Sequence, residues 1–335
     1  MRKITTMITT MITTMIAAGS LLAFGLAASA PAAMADDFPS KPIRVITSSS
    51  AGGISDLFMR VLGDAVRPHL NNQPLIIENR PGAAGGIAAR ACQDSPPDGY
   101  TICILNVDTL AYNQYLFKTL SYDPENGLTP IVNLFHLIQV LVINSDLKAK
   151  TVDELVAVSK EKKGTLSYLT AAIPLAAYME NLKRDKGADW VRVPFKGGGE
   201  ATNAIMSGST PIGLIGLGNV MPQITAGKMT ALALVNNVRT PLLPNVPTLA
   251  DTGYKGAASQ TWYGLFAPAK TPKPLVDRIN AEVRRAFADK DFVDKYVISR
   301  GQVPAVNTPE EFEAEIKSNR DAARQVVKDS GLEAK

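Results

Sequence analysis

Between residues 43 and 105, short apolar runs alternate with amphipathic stretches, and this alternation restricts the possible folds more than any other feature. Apolar runs of strand length lie at 43–47, 74–78 and 101–105, whereas apolar residues recur at helical spacing over 55–70 and 85–92. This strand–helix–strand–helix–strand order predicts a parallel sheet covered by helices.

The rest of the chain continues the pattern after a stretch at 122–130 that is rich in proline and glycine. Residues 151–154 and 308–311 have the composition of helix N-termini. Further strands are predicted at 139–143, 166–169, 211–216 and 231–235, and a short helix at 200–206. Two late helices are predicted from apolar faces formed by Leu275, Ile279, Val283 and Phe287, and by Phe312, Ile316, Ala323 and Val327.

Residues 1–35 are typical of a secretory signal peptide. Arg2 and Lys3 form a short basic start, an apolar stretch of small residues follows, and A-x-A-like sites end at Ala30 and Ala35. Because Pro31 would follow the first site, cleavage after Ala35 is favoured. A membrane anchor is the alternative, but the strongly apolar part is shorter than the roughly 20 residues of a spanning helix. We therefore expect a soluble, exported protein.

The charge balance argues against a nucleic-acid partner. The 335 residues have a formal net charge of +4, with 46% hydrophobic and 20% charged residues. These values are ordinary for a folded globular protein. Lysine and arginine form no basic run of the kind that binds nucleic acid.

Cys92 and Cys103 leave two alternatives open. In an exported protein a disulfide between them can form and persist, and two separate thiols that pack as small buried hydrophobes are the alternative. Together with His69 and His136 they show no metal-ligand spacing. We expect both histidines to be structural and the chain to hold no metal or cofactor.

Four loops at predicted strand–helix junctions are the candidate binding segments: 48–53, 81–86, 170–173 and 196–199. In an open α/β sheet, ligands bind beyond the carboxyl ends of strands. Helix N-termini there offer free N–H groups to an anion such as a carboxylate. Each loop, taken alone, also fits a plain tight turn.

These loops lack the patterns of common catalytic and nucleotide sites. Residues 81–86 do not match G-x-G-x-x-G, 197–199 lack the Lys-Ser/Thr of a P-loop, and 48–50 lack a G-x-S-x-G elbow. The sequence leaves two roles open for each of three further features. Asp56 either caps the first helix or fixes the first loop, and Lys196 either pairs with a carboxylate or is solvated. Trp262 and Tyr263 either line a cleft or pack in the core.

From Phe38 onward the chain resembles the Bug family, the periplasmic receptors of tripartite tricarboxylate transporters. The resemblance rests on segments that follow one another in order over about 300 residues. They are FPSKPIRVI at 38–46, AGGISD at 51–56 with Arg60, IENRPGAAGG at 77–86, PDGYT at 97–101, VPFKGGG at 193–199, PQITAGKMTALAL at 222–234, LLPNVPTLADTGY at 242–254 and WYGLFAPAKTPKPLVDRIN at 262–280.

The resemblance implies a type II periplasmic-binding-protein fold of two α/β lobes, joined by crossover strands with a ligand cleft between them. We expect residues 36–137 plus 262–335 in lobe 1 and 138–261 in lobe 2. The implied function is periplasmic capture of a small carboxylate by hinge closure and its delivery, by a monomer without enzymatic activity, to the membrane subunits of a tripartite tricarboxylate transporter.

The family's binding residues carry over to two groups of positions. The first lobe contributes Ser49, Ser50, Ala51, Gly52, Gly53 and Asp56, with Asn106 and Thr109 from its next loop. The second lobe contributes Thr170, Ala171, Ala172, Lys196 and Gly197. Backbone donors are expected to dominate the contact with the carboxylate.

Three segments depart from the usual family pattern. Ser48 and Ser49 replace a proline and an aromatic residue, 170–174 replaces a polar glycine-rich stretch, and apolar 215–216 lie near a frequent aspartate. A ligand ammonium group prefers a carboxylate partner. We therefore expect a carboxylate with an apolar or aromatic body rather than an amino acid.

Two other functions stay open at this point. A signalling receptor that presents its closed form to a membrane sensor kinase needs the same closure. An enzyme on the same scaffold is the other alternative, although the sequence offers it no acid/base constellation.

Overall fold

The structure is a computed structural model that describes residues 38–170, 173–193, 195, 198–235, 239–253 and 261–330. The expected signal peptide, with its cleavage after Ala35, lies outside the described residues. The strands are β1 (Ile43–Thr47), β2 (Leu75–Asn79), β3 (Thr101–Asn106), β4 (Leu128–Leu137), β5 (Gln139–Asn144), β6 (Ser167–Thr170), β7 (Val191–Arg192), β8 (Ile212–Gly216), β9 (Met229–Leu234), β10 (Thr261–Pro268) and β11 (Gln302–Pro304).

The helices alternate with these strands along most of the chain. They are α1 (Ile54–Val66), α2 (Gly86–Gln93), α3 (Asn113–Leu116), α4 (Val152–Glu161), α5 (Ile173–Lys186), α6 (Gly198–Ser207), α7 (Leu217–Thr225), α8 (Lys273–Ala288), α9 (Lys290–Tyr296) and α10 (Pro309–Ser330). A π-helical turn, Asp108–Tyr112, follows β3.

The first sheet has six strands in the order β11-β4-β10-β3-β1-β2. Strands β2, β1 and β3 are parallel, as the sequence predicts, whereas β10 runs antiparallel to both β3 and β4. Apolar side chains of α1 and α8 pack in one core of this lobe, among them Phe58 and Ile279. Side chains of α2 and α10 pack in another, which includes Ala88 and Phe312.

The second sheet has five strands in the order β7-β6-β8-β5-β9. Strand β5 lies antiparallel to both β8 and β9, and β6 is parallel to β7 and β8. Buried side chains of α4 and α5 pack in one core of this sheet, with Tyr168 and Trp190, and those of α6 and α7 pack in another. The molecule thus has two α/β lobes.

The chain passes between the two sheets at a narrow crossing. Strand β4 ends at Leu137 in the first sheet, β5 begins at Gln139 in the second, and β10 begins at Thr261 back in the first. Ile138 lies between them, where its N–H donates to Gly301 O at 2.9 Å and its carbonyl accepts from Leu217 N–H at 2.8 Å. The expected lobe limits at 137/138 and 261/262 stay a prediction, and the sheets exchange strands close to both.

Two predicted elements differ from the structure because of proline. The helix expected over 55–70 is α-helical only to Val66 and ends in a 3₁₀ turn over Arg67–His69, since Pro68 lacks the N–H that an α-helix needs. Strand β4 begins at Leu128, inside the stretch 122–130 that is rich in proline and glycine and for which the sequence predicts no strand. Pro130 lies opposite Phe266 at a register irregularity of the β4–β10 ladder, where a missing N–H is tolerated.

The C-terminal helix α10 begins as the sequence predicts. Thr308 Oγ accepts from Glu311 N–H at 3.2 Å, and the Glu311 carboxylate accepts from Thr308 N–H at 2.8 Å. This reciprocal pair satisfies two N–H groups at the start of the helix. α10 then packs against β4 and the π-helical turn of the first lobe and against α5 of the second.

Cys92 and Cys103 form a disulfide, with their Cα atoms 6.1 Å apart. Of the two alternatives that the sequence leaves open, the disulfide is therefore the correct one. It joins the last turn of α2 to the middle of β3. None of the helices within the described ranges combines the length and apolar character of a membrane span.

Candidate ligand-binding cleft

A cleft of about 920 Å³ lies between the two sheets and is lined from both of them. This volume is near the upper end of the roughly 300–1,000 Å³ typical of small-molecule sites. The first sheet's side contributes the loops before α1 and α2. The second contributes an apolar wall made of Phe195, Leu214, Ile215, Gly216 and Leu217.

In the part of the chain that the structure describes, the N-cap residues of three helices line this cleft. Gly53, Gly85 and Gly216 are the N-cap residues of α1, α2 and α7, and all three line the cleft. Within the described residues, no side chain caps any of these three termini. The N–H groups of a helix's first turn have no partner inside the helix and carry the positive end of its dipole. The arrangement suits an anion.

Asp56 stabilises the loop before α1 through hydrogen bonds. Its carboxylate accepts from Gly52 N–H at 2.9 Å, from Arg60 at 2.8 Å and from Asn79 at 3.0 Å. The same Asn79 amide donates to Ser49 O at 3.0 Å. Asp56 therefore fixes the loop instead of capping α1, which decides between the two roles that the sequence allows.

The pKa of the Asp56 carboxyl lies below its ordinary value. Burial alone would raise this pKa, but the hydrogen bonds from Arg60, Gly52 N–H and Asn79 outweigh the effect of burial. The ionised form is thus the one that the loop stabilises. Its stabilising contribution is complete above the unfolded-chain pKa near 3.8 and is lost as the pH falls through the lower folded value.

Asp56→Ala is expected to lower the free energy of unfolding by about 2–3 kcal/mol at pH 7, because hydrogen bonds to a charged group each contribute about 1.5–3 kcal/mol. Urea unfolding at pH 7 and at pH 3 measures this loss, which should be smaller at pH 3. Asp64→Asn, an exposed position on the same helix, is the control and should change stability little. An Asp56→Ala protein as stable as the wild type at pH 7 would contradict the role of Asp56.

The second loop is held by two side chains of the β3–α3 segment. The Asn113 amide donates to Ala84 O at 3.0 Å, and Thr109 Oγ, whose shorter hydrogen bond is to Asn106 Oδ1, lies 3.2 Å from the same Ala84 oxygen. Gly85 has φ +88°, and a Cβ there would overlap Thr109 Oγ. Glycine is therefore required at the N-terminus of α2 both by its backbone conformation and by space.

The predicted site residues fall into three groups. Those that line the cleft are Ser49, Ser50, Gly52, Gly53 and Asn106. Asp56 and Thr109 lie behind the loops, Ala51 is exposed at a loop tip, and Thr170 is buried at the end of β6. The other four, Ala171, Ala172, Lys196 and Gly197, lie outside the described residues. Contact with a ligand stays a prediction for all of them.

Sequence reasoning missed several residues at the crossing between the lobes. Thr261 and Gln302 both lie opposite Leu137 in the β-ladders. Both are buried beside the cleft, and the Thr261 Oγ and Gln302 Oε1 atoms have no hydrogen-bond partner in the part of the chain that the structure describes. Tyr263 lines the cleft whereas Trp262 is fully buried in the core, as strand alternation requires.

Asp108 is a further cleft residue that the sequence analysis did not single out. It lies two residues after the end of β3, and like Asn106, the last residue of that strand, it lines the cleft. Burial raises the pKa of the Asp108 carboxyl to about 7. Its position just after a predicted strand could have indicated a binding residue, because ligands of open α/β sheets bind beyond the C-terminal ends of the strands.

The cleft does not contain the histidines. Neither His69 nor His136 lines it; His69 Nδ1 lies 3.1 Å from Arg285, and His136 Nε2 lies 3.6 Å from Glu315. Among the described residues, no three His, Cys, Asp or Glu side chains gather into a metal site. These polar contacts of both histidines lie outside the cleft lining, and a structural role for them stays a prediction.

Comparison with known proteins identifies the family. The sequence model of the tripartite tricarboxylate transporter family receptors (TctC) matches residues 58–331. The protein BugT of Bordetella pertussis is 28% identical over 304 residues, which cover 90% of this chain and 93% of BugT.

Solved structures agree with this match. A structure described as a periplasmic transporter is 35% identical, with a TM-score of 0.80 over 88% of this chain and 99% of that one. MatC from Rhodopseudomonas palustris, solved with bound malate, is 27% identical, with a TM-score of 0.75 over 87% of this chain and 100% of MatC. The chain therefore belongs to the tripartite tricarboxylate transporter receptors, the family of periplasmic binding proteins that includes the Bug proteins.

Proposed function

We propose that the protein captures a small carboxylate in the cleft between its lobes. The observation that carries this proposal is the presence of three uncapped helix N-termini on one cleft, since such termini bind carboxylates through backbone N–H groups. MatC, a relative solved with the small carboxylate malate, supports the same ligand class. The carboxylate would lie against the N–H groups near Gly53.

The rest of the ligand has an apolar or aromatic body. The second lobe's wall of the cleft is apolar at Leu214, Ile215 and Leu217, and Phe195 adds an aromatic ring. At the crossing between the lobes, Thr261 and Gln302 offer polar atoms without partners among the described residues. A few placed polar groups in a largely apolar pocket orient a ligand.

Binding proceeds by hinge closure. The cleft holds several times the volume of a small carboxylate, so a ligand touches both walls only when the lobes approach each other. A ligand that contacts both lobes favours the closed state by its higher affinity for that state. We take the lobes as 36–137 plus 262–335 and 138–261, with the hinge where β4 leads into β5 and where β10 begins.

The protein acts in the periplasm as a monomer and releases its ligand unchanged. Residues 1–35 serve as the signal peptide, which is removed after Ala35. The closed form delivers its ligand to the membrane subunits of a tripartite tricarboxylate transporter. Co-purification with those subunits in the presence of ligand tests delivery, and capture of a sensor kinase in their place would assign a signalling role.

A thermal-shift screen of the ligand-stripped mature chain, residues 36–335, against mono-, di- and aromatic carboxylates tests the proposal. Stabilisation grows as RT ln(1 + [L]/Kd), about 2.7 kcal/mol at 100 times Kd. We expect a dose-dependent rise in Tm with one chemical class, and recovery of the ligand unchanged. A folded protein whose Tm responds to no carboxylate would overturn the proposal.

A further inference from the structure

Asp108 belongs to the cleft lining, and one of its carboxylate oxygens has no hydrogen-bond partner among the described residues. It opens the π-helical turn after β3 and is one of the residues that line the cleft. Oδ2 accepts from the Asn106 amide at 3.3 Å. Oδ1 is buried and has no hydrogen-bond partner anywhere in the described ranges. A buried acceptor without a donor loses its hydration without compensation.

The neighbours of Asp108 hold this carboxylate in place. Asn106 Oδ1 accepts from Thr109 N–H at 3.3 Å and from Thr109 Oγ at 2.8 Å, which directs the Asn106 amide N–H groups toward Asp108. The turn itself is anchored from two sides. Tyr122 Oη donates to Thr109 O at 2.7 Å, and Arg320 of α10 donates to Leu110 O at 2.9 Å.

The ionisable groups around Asp108 are mainly neutral phenols. Tyr112, Tyr122 and Tyr263 each interact with its charge, and burial, with smaller effects from neighbouring groups, raises the pKa of Tyr122 and of Tyr263 to about 12. Among the described residues, the cations that line the same cleft are Arg60, which is paired with Asp56, and Arg300, which is exposed. Burial is what raises the pKa of Asp108 to about 7.

These surroundings discriminate between ligands. A hydroxyl or ammonium group placed at Oδ1 supplies the missing hydrogen bond, and an ammonium group adds attraction of opposite charges. A second carboxylate placed there meets a like charge and binds only when a proton lies between the two groups. The cleft lining thus combines N–H donors at the helix N-termini with a hydrogen-bond acceptor at Asp108.

We propose that Asp108 is a specificity-determining residue that accepts a hydrogen bond from a hydroxyl or ammonium group of the ligand. The preferred ligand is then a carboxylate that also carries such a donor. This inference rests on the proposed function. It also changes one expectation from the sequence, because the first lobe supplies the carboxylate partner that the apolar residues 215–216 of the second lobe do not.

Matched ligands test the proposal by titration calorimetry on the ligand-stripped mature protein. Succinate, malate and aspartate share one frame and differ only by hydrogen, hydroxyl or ammonium at one carbon; phenylacetate, mandelate and phenylglycine form an aromatic set. We expect the wild type to bind a donor-bearing member of at least one set ten times or more tighter than its parent acid.

Two variants separate charge from hydrogen bonding. Asp108→Asn removes the charge but keeps an acceptor, so it should abolish preference for the ammonium ligand and retain part of the preference for the hydroxyl ligand. Asp108→Leu removes both and should reduce each preference to less than threefold. Asp64→Asn is the matched control and should keep the wild-type preferences. A higher Tm of Asp108→Asn than of the wild type at pH 8 shows that the variant is folded.

The pH profile gives an independent readout. Above about pH 7, wild-type affinity for the parent diacid should fall up to tenfold per pH unit, because binding then requires uptake of a proton. Affinity for the ammonium ligand should rise over the same range as Asp108 ionises. Both trends should be flat in Asp108→Asn.

Three results would overturn the inference. Equal affinities within both ligand sets would do so, as would preferences that persist in Asp108→Leu, or a pH dependence that survives in Asp108→Asn. If carboxylates bind without this discrimination, the inference fails and the proposed function stands. If no carboxylate binds the folded protein, both fail.

Discussion

Ser50→Asp is expected to weaken carboxylate binding about a hundredfold, a change of about 2.7 kcal/mol in binding free energy. Ser50 lies in the loop before α1 and lines the cleft next to the helix N-terminus. A carboxylate introduced there repels an anionic ligand, and such like-charge contacts have effects of several kcal/mol. The new side chain also competes for the N–H groups, because aspartate caps helix N-termini well.

Ser50→Asn is the matched control for this prediction, because asparagine has nearly the same shape as aspartate and also caps helices, but carries no charge. Calorimetric titration of the best carboxylate from the screen should show a large loss for Ser50→Asp and a modest one for Ser50→Asn. Equal affinities of the two variants would place the ligand carboxylate away from the first loop.

We expect the largest losses of stability from substitutions that disrupt the packing of Phe312 against Gly264. The Phe312 ring is fully buried, with its centroid 5.0 Å from that of Trp262 and 5.3 Å from that of Phe266. A Cβ at Gly264 would overlap this ring. Because Gly264 of β10 has no side chain, the Phe312 ring of α10 can pack against this strand.

Phe312→Ala should lower the free energy of unfolding by about 3–5 kcal/mol through loss of burial and formation of a cavity. Gly264→Ala should lower it by about 1–3 kcal/mol through overpacking. The double variant should lose less than the sum of the two, because the new methyl group enters the space that the ring leaves.

Urea unfolding of the three variants measures this coupling. Phe117→Ala is the control, because this phenylalanine is 43% exposed and its truncation should have a small effect. Losses that add to within about 0.5 kcal/mol would contradict direct packing of the ring against β10.

The sequence predicts those elements whose apolar pattern is local. The strands at 43–47 and 101–105 and the apolar face of the last helix were recognised because periodicity within one segment reflects burial of that segment. For β4 and β10 the local sequence pattern predicts no strand. They lie side by side inside the first sheet, and Pro130 and Pro268 within them point away from a strand assignment.

The residues that line the cleft also differ in whether a local sequence pattern predicts them. Ser49, Ser50, Gly52 and Gly53 were found because a glycine-containing loop between a strand and a helix is a local pattern, and they line the cleft. Thr261 and Gln302 join the cleft only through ladders with β4, so their place depends on pairing between distant parts of the chain. The loops at 171–172 and 196–197 lie outside the described residues, and their role stays a prediction.

We propose that one cleft binds a carboxylate between two lobes that close on it. A crystal structure of the mature protein with the carboxylate that raises Tm most tests this claim directly. We expect the ligand carboxylate to accept hydrogen bonds from N–H groups near Gly53 and the wall at Ile215 to touch the ligand from the other lobe. A ligand bound outside the cleft, or held by one lobe with the cleft still open, would contradict it.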